Sequence, residues 1–273
     1  MTTTAHPLSE FDGHVPLTAR TPAATVEEVV FRPRQQIVAH THERARVCVV
    51  LSGAWNECRE RRSTIASAGT AYYLPPETPH ANKFGQTESR CLRIEFDAAM
   101  HEPERAGRRA SWSQPWERCA GAIPWAGFRL HARLRSQSLT QLDVDEFLLA
   151  CVEGAPGLSA ARRGVAPPWL QRIREALEEV IACPPSLTEL ARLEDVHPVH
   201  LAHEFRAFYG TSIGEFVQTR RIARACELLL ASTASIGELA CTLGYYDQAH
   251  FTRLFTARIG SSPGRFRSRA DRG

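Results

Sequence analysis

Apolar residues recur at helical spacing through the last third of the chain, and they do so twice. Leu201, Phe205 and Phe208 share one face of a segment that reads as helix over roughly 198 to 208. Phe251, Leu254, Phe255 and Ile259 do the same over roughly 248 to 258. Each segment follows a shorter expected helix, near 187 to 194 and 236 to 243, that opens on a Ser with a Glu three positions later: Ser186 with Glu189, and Ser235 with Glu238. That pair is a reciprocal cap for the orphan amides of a helix start. After one extra residue in the turn of the second copy, the copies stay in step: Leu201 with Phe251, Gly210 with Gly260, Ser212 with Ser262, Phe216 with Phe266. Two copies make a duplication of one helix-turn-helix unit, too few for a solenoid.

Upstream the period changes. Short β-rich runs at 28 to 31, 36 to 40, 47 to 51, 71 to 74 and 91 to 96 are punctuated by Ser52-Gly53, Ala68-Gly69 and Pro75-Pro76, which predicts an all-β barrel or sandwich over residues 29 to 100. Residues 1 to 28 carry Pro7, Gly13, Pro16 and Pro22 without sustained periodicity and read as an arm, partly disordered. Trp112 and Trp116 stand at helical spacing and read as core. Two helices are expected within 101 to 152, from Pro124 to Arg135 and from about Leu139 to Val152. They suit either a dimerisation pair or packing on the barrel. Residues 153 to 168, rich in Gly, Pro and Ala, form the expected linker, and an amphipathic helix from Trp169 to about Ala182 opens the C-terminal unit of 169 to 268.

Between the two copies, Glu215 to Leu230 contains no helix breaker and would span about 25 Å as a helix. That is enough to hold two readers near successive major grooves, one duplex turn of about 34 Å apart. The polar faces left free carry His200, His203 and Arg206 in the first copy and Gln248, Thr252 and Arg253 in the second, side chains able to bond base edges or phosphates. From near Trp169 to Arg267 the chain resembles the AraC/XylS family of transcription regulators. The resemblance rests on the two units, Arg221-Ile222 and Ala225, Gly244-Tyr245, Phe251 with Phe255, and the closing Gly260-Ser-Ser-Pro263-Gly-Arg-Phe266-Arg. It implies base-contacting positions at Val199, Ala202 and His203, with Arg206 beside them, and at Gln248, Ala249, Thr252 and Arg253. It also implies promoter DNA and RNA polymerase as partners.

His40 and His42 fall on the same face of a strand by its period of two. Gly69, Pro75, Glu77 and Pro79-His80 follow at a spacing that resembles the two cupin motifs, with Glu77 where that family usually has Gly. Metal-bearing cupins add an acid to the first motif. Its place here falls on Arg46 or Val47, and Glu43 is out of register. His40, His42 and His80 suit a divalent transition ion, or else line a ligand pocket or serve as hydrogen-bonded barrel residues.

Composition narrows the picture in three places. A net charge of +3 does not announce nucleic acid, but from Phe205 onward ten Arg face five acids, the sign of a phosphate-facing surface. Eight scattered cysteines without a Cys-x-x-Cys pair read as reduced core residues. No run approaches the length of a membrane span and the polar start lacks a secretory plan, so a cytoplasmic location is expected. The reading is a two-domain regulator whose helix pair suits a homodimer: an all-β cupin-like barrel with appended helices senses a metal or small molecule, and an all-α double helix-turn-helix domain reads DNA. No triad, phosphate loop or paired carboxylate points to catalysis. The competing class is a metal-dependent cupin enzyme with an accessory helical domain.

Overall fold

The structure, a computed structural model, describes residues 13–59, 62–96, 114–154 and 166–270. Among these residues ten strands come first: β1 His14–Arg20, β2 Ala24–Phe31, β3 Gln36–His40, β4 Ala45–Ser52, β5 Ala54–Arg59, β6 Arg62–Ser67, β7 Ala71–Leu74, β8 His80–Phe84, β9 Ser89–Phe96 and β10 Trp116–Arg118. They form two antiparallel sheets, β1-β2-β9-β4-β7-β10 and β3-β8-β5-β6. This is the all-β domain that the strand pattern predicts, built as two sheets. β4 and β9 lie in the middle of the larger sheet and are buried on both faces, which is why β4 reads as an unbroken apolar run. Cys48 and Val50 face the core between the sheets with Trp55, Tyr72 and Cys91, while Val47, Val49 and Leu51 face the helices with Leu92 and Ile94.

Several expectations need correction. Residues from His14 onward within the expected arm are ordered strand: β1 pairs β2 at the edge of the large sheet. Pro16 hid this, because a proline removes a ladder donor and is tolerated only at an edge or a bulge. It sits where the β1 register shifts, between His14 and Leu17. Strands β5, β6 and β8 also escaped the pattern, since they alternate apolar with Asn56, Glu57, Ser63, Thr64 and Asn82 rather than running apolar. Trp116 is in strand β10, stacked on Tyr73 with ring centroids 5.6 Å apart, not on a helix. Trp112 and most of the expected linker lie outside the described residues.

Nine helices follow among the described residues: α1 Ala122–Arg135, α2 Gln141–Gly154, α3 Pro168–Glu179, α4 Leu187–Leu193, α5 Pro198–Tyr209, α6 Ile213–Ala231, α7 Ile236–Thr242, α8 Gln248–Ile259 and α9 Pro263–Ala270. Helix α1 is buried nearly all round, from Ile123 and Trp125 through Phe128 to Leu134. Only a helix covered on both sides can carry such a sequence. One side lies on the large sheet, where Gly127 meets Val49 so closely that a Cβ would come within 2.5 Å of its side chain. The other side meets α8, with the Arg258 guanidinium 5.1 Å from the Trp125 ring centroid and Arg129 donating to the Arg258 carbonyl at 3.2 Å. Helix α2 packs on α1 and leaves Leu142 and Leu149 exposed.

The cores do not follow the chain's division. One cluster runs from the large sheet through α1 and α2 into the second half of α6 and the α7–α8 unit, ending at Phe266. The α4–α5 unit has a core of its own, built from Leu170, Ile173, Leu177, Leu190, Leu201, Phe205 and Phe216.

Candidate nucleic-acid interface and barrel site

Each helix-turn-helix unit is assembled by caps. Glu189 accepts from the Ser186 amide at 2.8 Å and the Ser186 hydroxyl accepts from the Glu189 amide at 3.3 Å; Ser235 and Glu238 repeat this at 2.7 and 3.1 Å. Such caps contribute about 1 kcal/mol each to holding a short helix in place. The longer helices start on different caps. Asp247 accepts from the His250 amide at 2.6 Å, whereas the ring of His197, a residue the sequence pattern did not single out, accepts from the Val199 amide at 3.3 Å ahead of Pro198. Both end on a left-handed glycine, Gly210 and Gly260, which turns the chain toward α6 and α9.

Seating Leu201 and Phe205, and Phe251 and Phe255, in the cores turns the opposite faces outward. Val199 is 69% exposed, and Ala202, His203 and Arg206 are also exposed along the α5 stripe. On α8, Gln248, Ala249 and Arg253 are exposed and Thr252 is half-buried. Positions 199, 202 and 203 match 249, 252 and 253, so one geometry presents both sets. His203 touches Glu204 at 3.1 Å, and His200 lies against Trp169 rather than in the stripe's centre. The Arg206 and Arg253 side chains have no hydrogen-bond or ion-pair partner among the described residues.

The basic count overstated the phosphate-facing surface. Arg220, on α6, is buried and hydrogen-bonds the Ser67 carbonyl at 3.0 Å, the Ala68 carbonyl, Thr70 Oγ1 at 3.3 Å and Glu178 at 3.0 Å. Arg221 caps the Ile181 and Ala182 carbonyls at 2.7 and 3.0 Å. Arg224 pairs with Glu227 at 2.6 Å, and Arg258 with Glu215 at 2.9 Å. Arg220, Arg221 and Arg258 thus tie elements together and Arg224 is paired within α6, and a sequence count has no means of separating these from Arg206, Arg253 and the exposed Arg265.

In the barrel, His40 ends β3 and is register-paired with His80 at the start of β8; His42 follows two residues on. The three rings lie with centroids 4.3 to 5.0 Å apart, and one nitrogen from each falls within 4.8 Å of the others. His40 Nδ1 meets the Val38 carbonyl at 2.8 Å and His80 Nδ1 the Thr78 carbonyl at 3.0 Å. A proton held at Nδ1 leaves Nε2 as the lone-pair nitrogen, the arrangement that orients imidazole toward a metal. His42 Nε2 is buried without a partner. Burial, and then the nearby Arg46 and the other imidazoles, press His42 down to about 2; burial presses His80 down to about 4. Both are neutral at pH 7, as ligands must be.

No carboxylate joins this group among the described residues. Arg46 occupies the acid's expected place and is ion-paired to Glu95. Glu77 is turned aside by its left-handed backbone, φ 57°, and accepts from Thr41 at 3.1 Å. The structure adds a residue the strand pattern did not reveal: Glu57 is buried, accepts from Trp55 Nε1 at 3.3 Å and Asn82 Nδ2 at 2.5 Å, and keeps Oε1 unpartnered. Burial pushes its carboxyl up to about 7. A cavity of about 30 Å³, with room for a water-sized occupant, lies beside His40, His80, Arg46, Cys48 and Asn82. A larger cleft of about 590 Å³ opens between Glu28, Arg90 and Arg135 on one side and Glu178, Arg220 and Arg224 on the other.

Residues 190–269 match the helix-turn-helix domain family. The chain is 39% identical over 99 residues to the uncharacterized HTH-type transcriptional regulator YfiF of Bacillus subtilis, covering 36% of this chain and 31% of that protein. It is 35% identical over 114 residues to the HTH-type regulator GlxA of Rhizobium meliloti, covering 42% and 35%. Thus it spans about a third of the length of these two. Against the HTH-type activator RhaR of Klebsiella pneumoniae it is 24% identical over 267 residues, covering 87% and 90%. No helix of the described residues is long and apolar enough to cross a membrane. The match takes in most of the first unit, the helix that joins the two and the whole second capped unit, and with it residues 190–269 belong to the helix-turn-helix domain family.

Proposed function

We propose that this chain is a sequence-specific DNA-binding transcription regulator of the cytoplasm, not an enzyme, which works on promoter DNA together with RNA polymerase and is controlled by an effector taken up in the barrel. One observation carries the reading: two equivalent stripes face outward, each with an arginine that lacks a partner among the described residues, while the arginines of the joining helix are engaged within the protein. On α8, Arg253 is placed to grip a guanine edge bidentately and Gln248 an adenine edge; on α5, Val199 and Ala202 suit thymine methyls, with His203 beside them and Arg206 toward phosphate. Ala249 and Thr252 complete the second stripe with small surfaces that let the helix seat deeply.

For the effector, His40, His42 and His80 fit a divalent transition ion: three neutral imidazoles, two with the outer nitrogen oriented by carbonyls, and one buried nitrogen without a partner. Such an ion would lock β3 to β8 and the loop that carries His42.

The test is selection of bound sites from random duplexes, followed by affinity measurement on the winning site. Arg253→Ala is expected to cost about 1–3 kcal/mol and relax preference at one base pair, and Arg206→Ala to weaken all duplexes alike with a shallower salt slope. Unchanged selected-site binding by Arg253→Ala overturns the assignment of the second reader.

A further inference from the structure

The two units repeat the same backbone hydrogen bonds in their turns and differ in length by one position. In the first, the left-handed Asp195 donates to Arg192 at 3.4 Å and Val196 donates to Ala191 at 3.0 Å, and the cap His197 comes next. In the second, Gly244 donates to Cys241 at 3.0 Å and Tyr245 to Ala240 at 2.9 Å, but one more residue intervenes before the cap Asp247. That residue is Tyr246, and it is 92% exposed, the most exposed large apolar-bodied side chain among the described residues.

Its exposure does not come from a loose turn. On one side Tyr245 is buried, its ring 5.0 Å from Phe251 and beneath the Arg221 guanidinium at 5.6 Å. On the other side Asp247 is held by the His250 amide at 2.6 Å. The backbone on both flanks is therefore fixed, and the phenol is projected outward beside Gln248 and Ala249, the first residues of the second reading stripe. A reading helix enters the major groove by its N-terminal residues, so the residue just before its cap lies at the groove's edge, where the sugar-phosphate strand runs. The carboxylate of Asp247 stands beside that place. A neutral hydroxyl donor on a long ring reaches phosphate past it, and Tyr is among the side chains that position proteins on the backbone.

Building on the DNA-binding reading above, we infer that Tyr246 is a backbone clamp of the second unit: its hydroxyl bonds a phosphate oxygen at the groove edge and adds a sequence-independent hold beside Gln248 and Arg253. The first unit has no counterpart, so the two readers grip the duplex unequally.

The experiment uses the full chain and its selected duplex, with an unrelated duplex beside it, for wild type, Tyr246→Phe, Tyr246→Ala and Arg253→Ala. A lost hydrogen bond to an ionised phosphate oxygen corresponds to about a ten- to hundredfold loss. Both Tyr246 variants are expected to lose that factor on both duplexes, with base preference unchanged on repeated selection. The slope against salt should also be unchanged, because a phenol displaces no counterion. Thermal midpoints should equal wild type, since nothing in the protein covers the ring. Tyr246→Phe binding as tightly as wild type overturns the phosphate bond, and altered base preference in Tyr246→Ala overturns the backbone role. If wild type retains no duplex at all, the DNA-binding reading fails and takes this proposal with it. If Arg253→Ala loses specificity while both Tyr246 variants bind normally, only the clamp fails.

Discussion

Replacing Arg220 by Met tests whether the two halves of the molecule act as one body. Met keeps the apolar stem and removes the guanidinium, which joins α6 to the β6–β7 turn through Ser67, Ala68 and Thr70 and to α3 through Glu178. Stripping one partner from a buried pair costs about 3–5 kcal/mol when the remaining charge is left alone. Glu178 is not left alone: Arg174 still donates to it at 3.3 Å and the Ser67 hydroxyl at 2.9 Å. The Ser67 carbonyl likewise keeps the Thr70 amide at 2.8 Å, so the Ala68 carbonyl is the main orphan. The low end of the range, about 3 kcal/mol, is therefore expected. In urea, circular dichroism and tryptophan fluorescence should give coincident transitions for wild type and separated ones for Arg220→Met. A cycle with Glu178→Gln should show a coupling of about 1–2 kcal/mol, and the exposed Arg206→Met should change stability by less than about 0.5 kcal/mol. If Arg220→Met unfolds in one step with wild-type stability, Arg220 is not the joint between barrel and reader, and the single-body account fails.

Three further outcomes are expected. Purified His40→Ala/His80→Ala protein should hold no zinc after incubation and dialysis, and zinc should raise the thermal midpoint of wild type only, because an ion bound to the folded state alone stabilises it. Burial alone would raise the Glu28 carboxyl, but the hydrogen bond from His131, with Arg135 and Arg90 beside it, outweighs burial and holds it near about 2, below the ordinary 4.5. A depressed acid contributes stability that is complete above about pH 4.5 and is lost as pH falls toward 2, so acid unfolding should flatten in that window for Glu28→Gln. Glu57 has the opposite sign: its carboxyl sits at about 7, so stability falls as pH rises from about 4.5 to 7, and Glu57→Gln should raise the thermal midpoint at pH 8 with little effect at pH 4.5. An equal shift at both pH values would refute the buried-carboxyl argument.

How far the chain could be read differs from part to part. Both helix-turn-helix units were legible to within a residue or two, because capping pairs and apolar spacing are local: Ser186 with Glu189 and Leu201 with Phe205 act within one or two turns. The β-domain was legible as a class, and the strands that run apolar in its centre were found. Its polar strands and its proline-bearing edge were not, since alternation in β5 and β8 is diluted by inward polar residues such as Glu57 and Asn82. The three histidines of the barrel were singled out by strand period and motif spacing, whereas the Val38 and Thr78 carbonyls, two residues before His40 and His80, depend on the course of the backbone rather than on residue type, and the unpartnered Glu57 lies on a separate stretch of chain that joins the site only when β5 pairs with β8.

Helical starts and stops, the duplication and the outward stripes of α5 and α8 follow from residues a few positions apart, and the histidine group was marked by strand period and motif spacing before β3 and β8 brought it together. Which arginines are engaged inside the protein was settled only by packing. Arg206 and Arg253 look no different from Arg220 and Arg258 along the chain. Folding brings Glu178 and the Ser67–Thr70 turn to Arg220, and Glu215 and Trp125 to Arg258. It also merges the second unit's core with the barrel's through α1 and leaves the first unit a core of its own. The cause is common to both: a long charged side chain or an all-round apolar helix takes its role from whatever surface lies against it, and that surface is supplied by residues 42 to 153 positions away for these arginines.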